Sequence, residues 1–133
     1  MKRVVVVEED PLASRAAAAI LHDLDCEVET VTEPKGALRP RRRARPDAIL
    51  ISDNFDSMSA SAFVHACRQT RRLADVPIVV MAVTPRAAID AIREGAHACI
   101  RKPVDTGGVF VALHDVLRGP KRGDKHDRRS PPR

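Results

Sequence analysis

Four consecutive valines, Val4–Val7, follow Arg3 and run directly into Glu8-Glu9-Asp10. A β-branched run with no polar alternation has no face to give to water. It suits a strand covered on both sides, as in a parallel sheet. Two later runs have the same character, Ala48–Ile51 and Ile78–Val83, the second opened by Pro77. Cys26–Val31 and Ala98–Ile100 read as two further, shorter strands.

The segments between these runs carry helical spacing. Pro11 sits at a helix start behind Asp10, a residue type suited to the N-cap. Leu12, Ala16, Ala19, Ile20 and Leu24 then recur on one face. Residues 33–45 stand where a second helix belongs, yet Pro34, Gly36 and Pro40 oppose it, so a short or broken helix is expected. Ser61–Leu73 reads as a helix with Phe63, Val64 and Cys67 toward the core. Arg86–Glu94 reads as another, closed by Gly95 at the C′ position. Gly107–Arg118 completes the set, with Val109, Leu113 and Val116 marking its buried stripe. Strict alternation of strand and helix predicts an α/β fold: a five-stranded parallel sheet with helices on both faces.

At roughly 150 residues per domain, a chain of 133 residues makes one domain, here residues 1–118, followed by a tail over 119–133. No apolar run approaches the roughly 20 residues that span a bilayer. The N-terminus lacks the apolar stretch of about 7–15 residues that a secretory signal needs. With three Phe and no Trp or Tyr, stacking platforms for single-stranded nucleic acid are absent. Cys26, Cys67 and Cys99 are odd in number and far apart, which reads as reduced, buried thiols of a cytoplasmic protein. His22, His65, His97, His114 and His126 show no metal-ligand spacing.

The net charge of +5 is unevenly placed. The tail holds six Lys/Arg against two Asp, and Arg39, Arg41, Arg42, Arg43 and Arg45 form a second basic cluster. Both read most simply as solvated segments. The tail has the composition of a disordered segment and is the one part suited to non-specific docking on a polyanion such as nucleic acid.

In sheets of this type ligands bind beyond the carboxyl ends of the strands. Those ends carry Glu8-Glu9-Asp10, Ser52-Asp53, Ala82-Val83-Thr84 and Arg101-Lys102-Pro103. Carboxylates from two strands can hold a hard cation such as Mg²⁺, which takes oxygen ligands. A lysine from a third can pair with a phosphoryl oxygen, and an aspartate beside the metal can attack phosphorus. The plainer alternative is a set of surface acids and one solvated lysine. No Gly-rich loop follows the first strand, which disfavours a dinucleotide or P-loop fold.

The segments VVVVEEDP, RPDAILISD, VPIVVM and EGAHACIRKPVD together resemble the response-regulator receiver domain of two-component signalling, over about residues 3–118. The resemblance implies the doubly wound, CheY-like (flavodoxin-like) fold. It implies that Glu8 and Glu9 stand at the acidic pair that holds Mg²⁺, one methylene longer than the usual aspartates, so that binding is weakened. It implies that Lys102 pairs with the phosphate and that the Lys102–Pro103 bond is cis. The phosphoacceptor has two readings. A gapless register puts Ser52 in the slot; a bulge or one-residue shift near Pro46 brings Asp53 there instead, with Glu8, Glu9 and Asp53 then sharing the metal. Two departures weaken the family's switching pair: Ala82 stands where it carries Thr or Ser, and Cys99 where it carries an aromatic.

The implied function is that of a single-domain receiver in a phosphorelay, acting by contact with a histidine kinase or another signalling protein. No enzyme is implied and no membrane association; the sequence does not specify an oligomeric state. The alternatives are a phosphorylation-independent pseudo-receiver and a nucleic-acid-binding adaptor acting through its tail.

Overall fold

The computed structural model describes residues 1–39 and 45–118. Five strands, β1 (Arg3–Val7), β2 (Glu27–Val31), β3 (Ala48–Ser52), β4 (Ile78–Ala82) and β5 (Ala98–Arg101), form one parallel sheet in the order β2-β1-β3-β4-β5. Between and after them lie helices α1 (Pro11–Asp23), α2 (Pro34–Leu38), α3 (Ala60–Arg68), α4 (Pro85–Glu94) and α5 (Thr106–Arg118). This is the doubly wound α/β architecture that the alternation predicts. Every residue of the three inner strands is buried, as runs without a polar face require.

Side-chain alternation divides the core in two. Val4, Val6, Ala48, Leu50, Val79 and Met81 pack against Ala17 and Leu21 of α1 and against Val109 and Leu113 of α5. Val5, Val7, Ile49, Ile51, Val80 and Ala82 face the other way, onto Ala37 of α2, Phe63, Val64 and Cys67 of α3, and Ala91 of α4. At the amino end of the sheet, Arg3 pairs with Glu29 at 2.8 Å.

Local signals hold where the backbone has one way to satisfy itself. The Asp10 side chain accepts from the Leu12 N–H at 3.2 Å, with Pro11 opening α1 behind it. Gly95 closes α4 at φ 112°, in the left-handed region. The Lys102–Pro103 peptide is cis. The helix expected over Ser61–Leu73 is instead broken: α3 ends at Arg68, Thr70 is extended, and a single 3-10 turn spans Arg71–Leu73. Arg68 makes the break tenable. Its guanidinium donates to the carbonyls of Leu73, Ala74 and Val76 at 3.0–3.1 Å, which the turn after α3 would otherwise leave to water. The second helix shrinks to five residues, as Gly36 and Pro40 foretell, while Pro34 opens it at its first position instead of opposing it. Arg39 and Arg45 are exposed; Arg41, Arg42, Arg43 and the tail over 119–133 lie outside the described residues. Among the described residues no helix is long and apolar enough to cross a membrane.

Candidate functional site

The alternation that sorts the core also selects the site. Val6, Leu50 and Ile100 all face the α1/α5 side. Two residues further along each chain stand Glu8, Ser52 and Lys102, delivered to the same side just beyond the strand ends. There they meet. Lys102 Nζ donates to Ser52 Oγ at 2.7 Å and to Glu8 Oε1 at 3.1 Å. Glu8 Oε2 accepts the Asp10 N–H at 3.1 Å, and the Ser52 hydroxyl donates to Asn54 Oδ1. The side chain of Glu8 is fully buried and that of Lys102 is 18% exposed. Ser52 is fully buried as well. One carboxylate and one ammonium thus neutralise each other, and the hydroxyl completes the lysine's shell.

Asp53 does not join this group. It follows Ile49 and Ile51 to the α3/α4 side, where Oδ2 accepts the Val83 N–H at 3.0 Å. Its Oδ1 is buried without a hydrogen-bond partner. The bulge that would bring Asp53 to Lys102 is absent: β3 pairs with β4 in unbroken register from Ile49↔Ile78 to Ser52↔Met81. One residue of displacement therefore becomes a change of face. Glu9 is exposed and borders a depression of about 330 Å³ with Thr32, Glu33, Phe55, Asp56 and Ser57. Asp10 is committed to capping α1.

The end of β4 is equally specific. Ala82 is buried and carries no hydroxyl; Thr84, two residues on, turns its Oγ1 to the Ala87 N–H and caps α4. Cys99 is partly buried and its Sγ donates to the Ala88 carbonyl at 3.5 Å. Burial pushes its thiol above the ordinary range; a Val80 backbone hydrogen bond pulls it back in part, and the Asp53 charge adds a smaller upward push. Ala82 and Cys99 leave a depression of about 230 Å³ between β4, α4 and β5.

The response regulator receiver domain family matches residues 4–114. The chain belongs to that family. Curated relatives include a protein-glutamate methylesterase/protein-glutamine glutaminase of Anaeromyxobacter dehalogenans, 32% identical over 87% of this chain and 33% of that protein. Another is the regulatory protein LuxO of Vibrio cholerae, 25% identical over 85% of this chain and 25% of that protein. The receiver thus spans a third or less of the length of these relatives. Solved structures agree in fold. The chemotaxis protein CheY4 of V. cholerae is 26% identical, with TM-score 0.78 over 88% of this chain and 99% of that one. The receiver domain of a Syntrophus aciditrophicus histidine kinase has TM-score 0.81 at 22% identity, over 92% and 94% of the two chains. A receiver domain of a Pseudomonas aeruginosa sensor histidine kinase, with TM-score 0.76 at 19% identity over 87% and 98% of the two chains, was solved with a magnesium ion coordinated in its active-site cleft.

In this receiver the residues expected to hold such an ion do not converge. Both Glu8 oxygens are engaged, Ser52 offers a neutral hydroxyl, Asp53 faces away, and Glu9 is left alone on the rim. Among the described residues no three His, Cys, Asp or Glu side chains form a metal-binding group. Sequence reasoning missed two participants. Asn54 belongs to no motif, and its place on Ser52 becomes visible only once the chain turns after β3. Val83 acts through its backbone N–H, which no side-chain pattern can signal.

Proposed function

We propose that this receiver passes signals by contact with other proteins, in the cytoplasm, and that its pocket does not take phosphate. The observation that carries this is the 2.7 Å contact between Lys102 Nζ and Ser52 Oγ. An aspartate in that position is ionised at neutral pH and is ready to attack phosphorus. A serine is a weak nucleophile that needs an adjacent base. The nearest carboxylate, Glu8, spends its oxygens on Lys102 and on the Asp10 backbone. The lysine's charge is met from within, so the pocket lacks the unbalanced cation that would draw in a phosphoryl group. Mg²⁺ affinity is weak on the same reading, because of the carboxylates expected to hold the ion Glu8 is committed and Asp53 faces away, leaving Glu9. The partners are a histidine kinase or another signalling protein, and the domain performs no enzymatic turnover of its own.

Intact-mass measurement after incubation with acetyl phosphate and Mg²⁺ tests this. No adduct is expected. An adduct on the wild type that disappears in Asp53→Asn would overturn the proposal and make Asp53 the acceptor, with Glu8 and Glu9 as metal ligands and Lys102 pairing with the phosphate.

A further inference from the structure

Helix α4 is thinly anchored. Its larger apolar residues, Ile89 and Ile92, are each 46% exposed. Toward the sheet it presents Ala87, Ala88 and Ala91, of which Ala91 alone is fully buried. Side chains this small remove little apolar surface from water, so polar ties matter to the position of α4; one is at its middle, where the Cys99 thiol of β5 donates to the Ala88 carbonyl at 3.5 Å, and others are at its two ends. The C-terminal end is tied by Arg68, which donates to the Gly95 carbonyl at 2.9 and 3.3 Å, and by the 3.1 Å contact of His65 with Glu94. At the N-terminal end Thr84 caps the helix, but that bond is internal to the helix and fixes nothing to the sheet. The tie to the sheet comes one residue earlier. Asp53, at the end of β3, reaches across to the Val83 N–H, between the last residue of β4 and the cap.

We propose that Asp53 is a positioning residue whose carboxylate latches the β4–α4 junction to the end of β3, holding α4 in one place with no ligand in the pocket. The inference rests on the reading that Asp53 is not a phosphoacceptor. Charge strengthens the latch, because a carboxylate accepts more strongly from a backbone N–H than a neutral group does. The other carboxylate oxygen is the cost: Oδ1 is buried and unpartnered, a pattern that needs a reason when it occurs in a native fold. Holding the start of α4 supplies that reason. Val83, Ile89 and Ile92 are all exposed apolar residues on this junction and helix, so the latch also fixes what the domain shows to a partner there.

Hydrogen exchange read at individual amides tests the latch on the full chain. In Asp53→Ala the Val83 amide should exchange about tenfold faster, with the α4 amides following, while β1 amides stay unchanged. Asp53→Asn keeps an acceptor oxygen without the charge and should fall between wild type and Asp53→Ala. Should Asp53→Ala not fold, Asp53→Ser, whose hydroxyl ends one bond short of the amide, carries the same expectation. Equal protection of Val83 in wild type and Asp53→Ala overturns the latch, as does a rise spread evenly through β1. An Asp53→Asn protein that exchanges like Asp53→Ala overturns it too. None of these outcomes touches the phosphate reading, which fails separately, on a mass adduct at Asp53 in the wild type.

Discussion

Lys102 lies 2.7 Å from the Ser52 hydroxyl and 3.1 Å from the Glu8 carboxylate, so a single ammonium closes the mouth of the sheet over one hydroxyl and one buried acid. The arrangement is self-sufficient. Glu8, Ser52 and Lys102 have their partners within the chain, and the buried carboxylate oxygen without a partner among the described residues, Asp53 Oδ1, lies on the far side of the sheet.

If the serine is what silences the pocket, restoring a carboxylate there should wake it. Ser52→Asp is expected to gain a phosphate adduct with acetyl phosphate and Mg²⁺, where the wild type gains none. It should cost about 2 kcal/mol of stability without metal, since a second acid then competes with Glu8 for Lys102. Added Mg²⁺ should return part of that loss. Intact mass and urea denaturation read the two effects; a variant still inert toward the phosphodonor would place the block elsewhere than at Ser52.

Lys102 is also the cation that pairs with Glu8 among the described residues. Lys102→Met leaves Glu8 fully buried without its ammonium partner, at a cost of about 3 kcal/mol. The double change Glu8→Gln with Lys102→Met removes both charges and should be more stable than Lys102→Met alone. Urea unfolding of the two variants settles the sign. A double variant no better than the single one would show that the lysine acts by packing its stem rather than by its charge.

Much of this was legible in the sequence, and the limits are physical. Val4–Val7 and Ile78–Ala82 announce buried strands because nothing in them tolerates water. Asp10, Pro11 and Gly95 announce helix ends because each has the conformation or the acceptor that the end requires. Between Ser52 and Asp53 the sequence carries one geometric bias. Parity alone puts residue 52 with residues 50 and 48, and the reading with Asp53 in the pocket needed a bulge for which no residue in β3 gave a signal. The end of α3 was illegible for a different reason. The end of α3 combines a local contact, the Thr70 hydroxyl on the Ala66 carbonyl at 2.8 Å, with a longer one, Arg68 reaching carbonyls five, six and eight residues ahead, and the second has no sequence signal.

Arg68 is therefore worth testing as a joint. It donates to four carbonyl groups in two segments, at Leu73, Ala74 and Val76 before β4 and at Gly95 after α4. Arg68→Ala should cost about 2 kcal/mol, with some of the freed carbonyls recovering water. Gly95→Ala should cost about 1–2 kcal/mol, because φ of 112° disfavours a side chain and the new Cβ would sit 3.2 Å from Arg68 Nε. The two changes strike one contact, so their combination should fall short of the sum. Full additivity in thermal or urea unfolding would mean that the two residues act independently.

Cys67 governs how the fold responds to alkali. It is fully buried in the α3/α4 core, and burial pushes its thiol up to about 12, with Arg68 pulling weakly the other way. Burial also raises Cys26 and Cys99. A thiol held protonated in the fold but free to ionise in the unfolded chain stabilises fully below its unfolded pKa, and that stability is lost as pH rises toward the folded value. For Cys67 the window runs from about 9 to about 12. The chain has no Tyr, so no phenol titrates alongside it. Stability measured by urea unfolding should accordingly decline as pH climbs past about 9. Cys67→Ala should start about 1–2 kcal/mol lower at pH 7, from the lost core volume, and then decline less steeply. The remaining slope belongs to Cys26 and Cys99 among the thiols, together with the basic side chains. If Cys67→Ala and wild type fall in parallel above pH 9, the Cys67 thiol contributes nothing to the alkaline limit, and the other two thiols and the loss of lysine charge account for the decline.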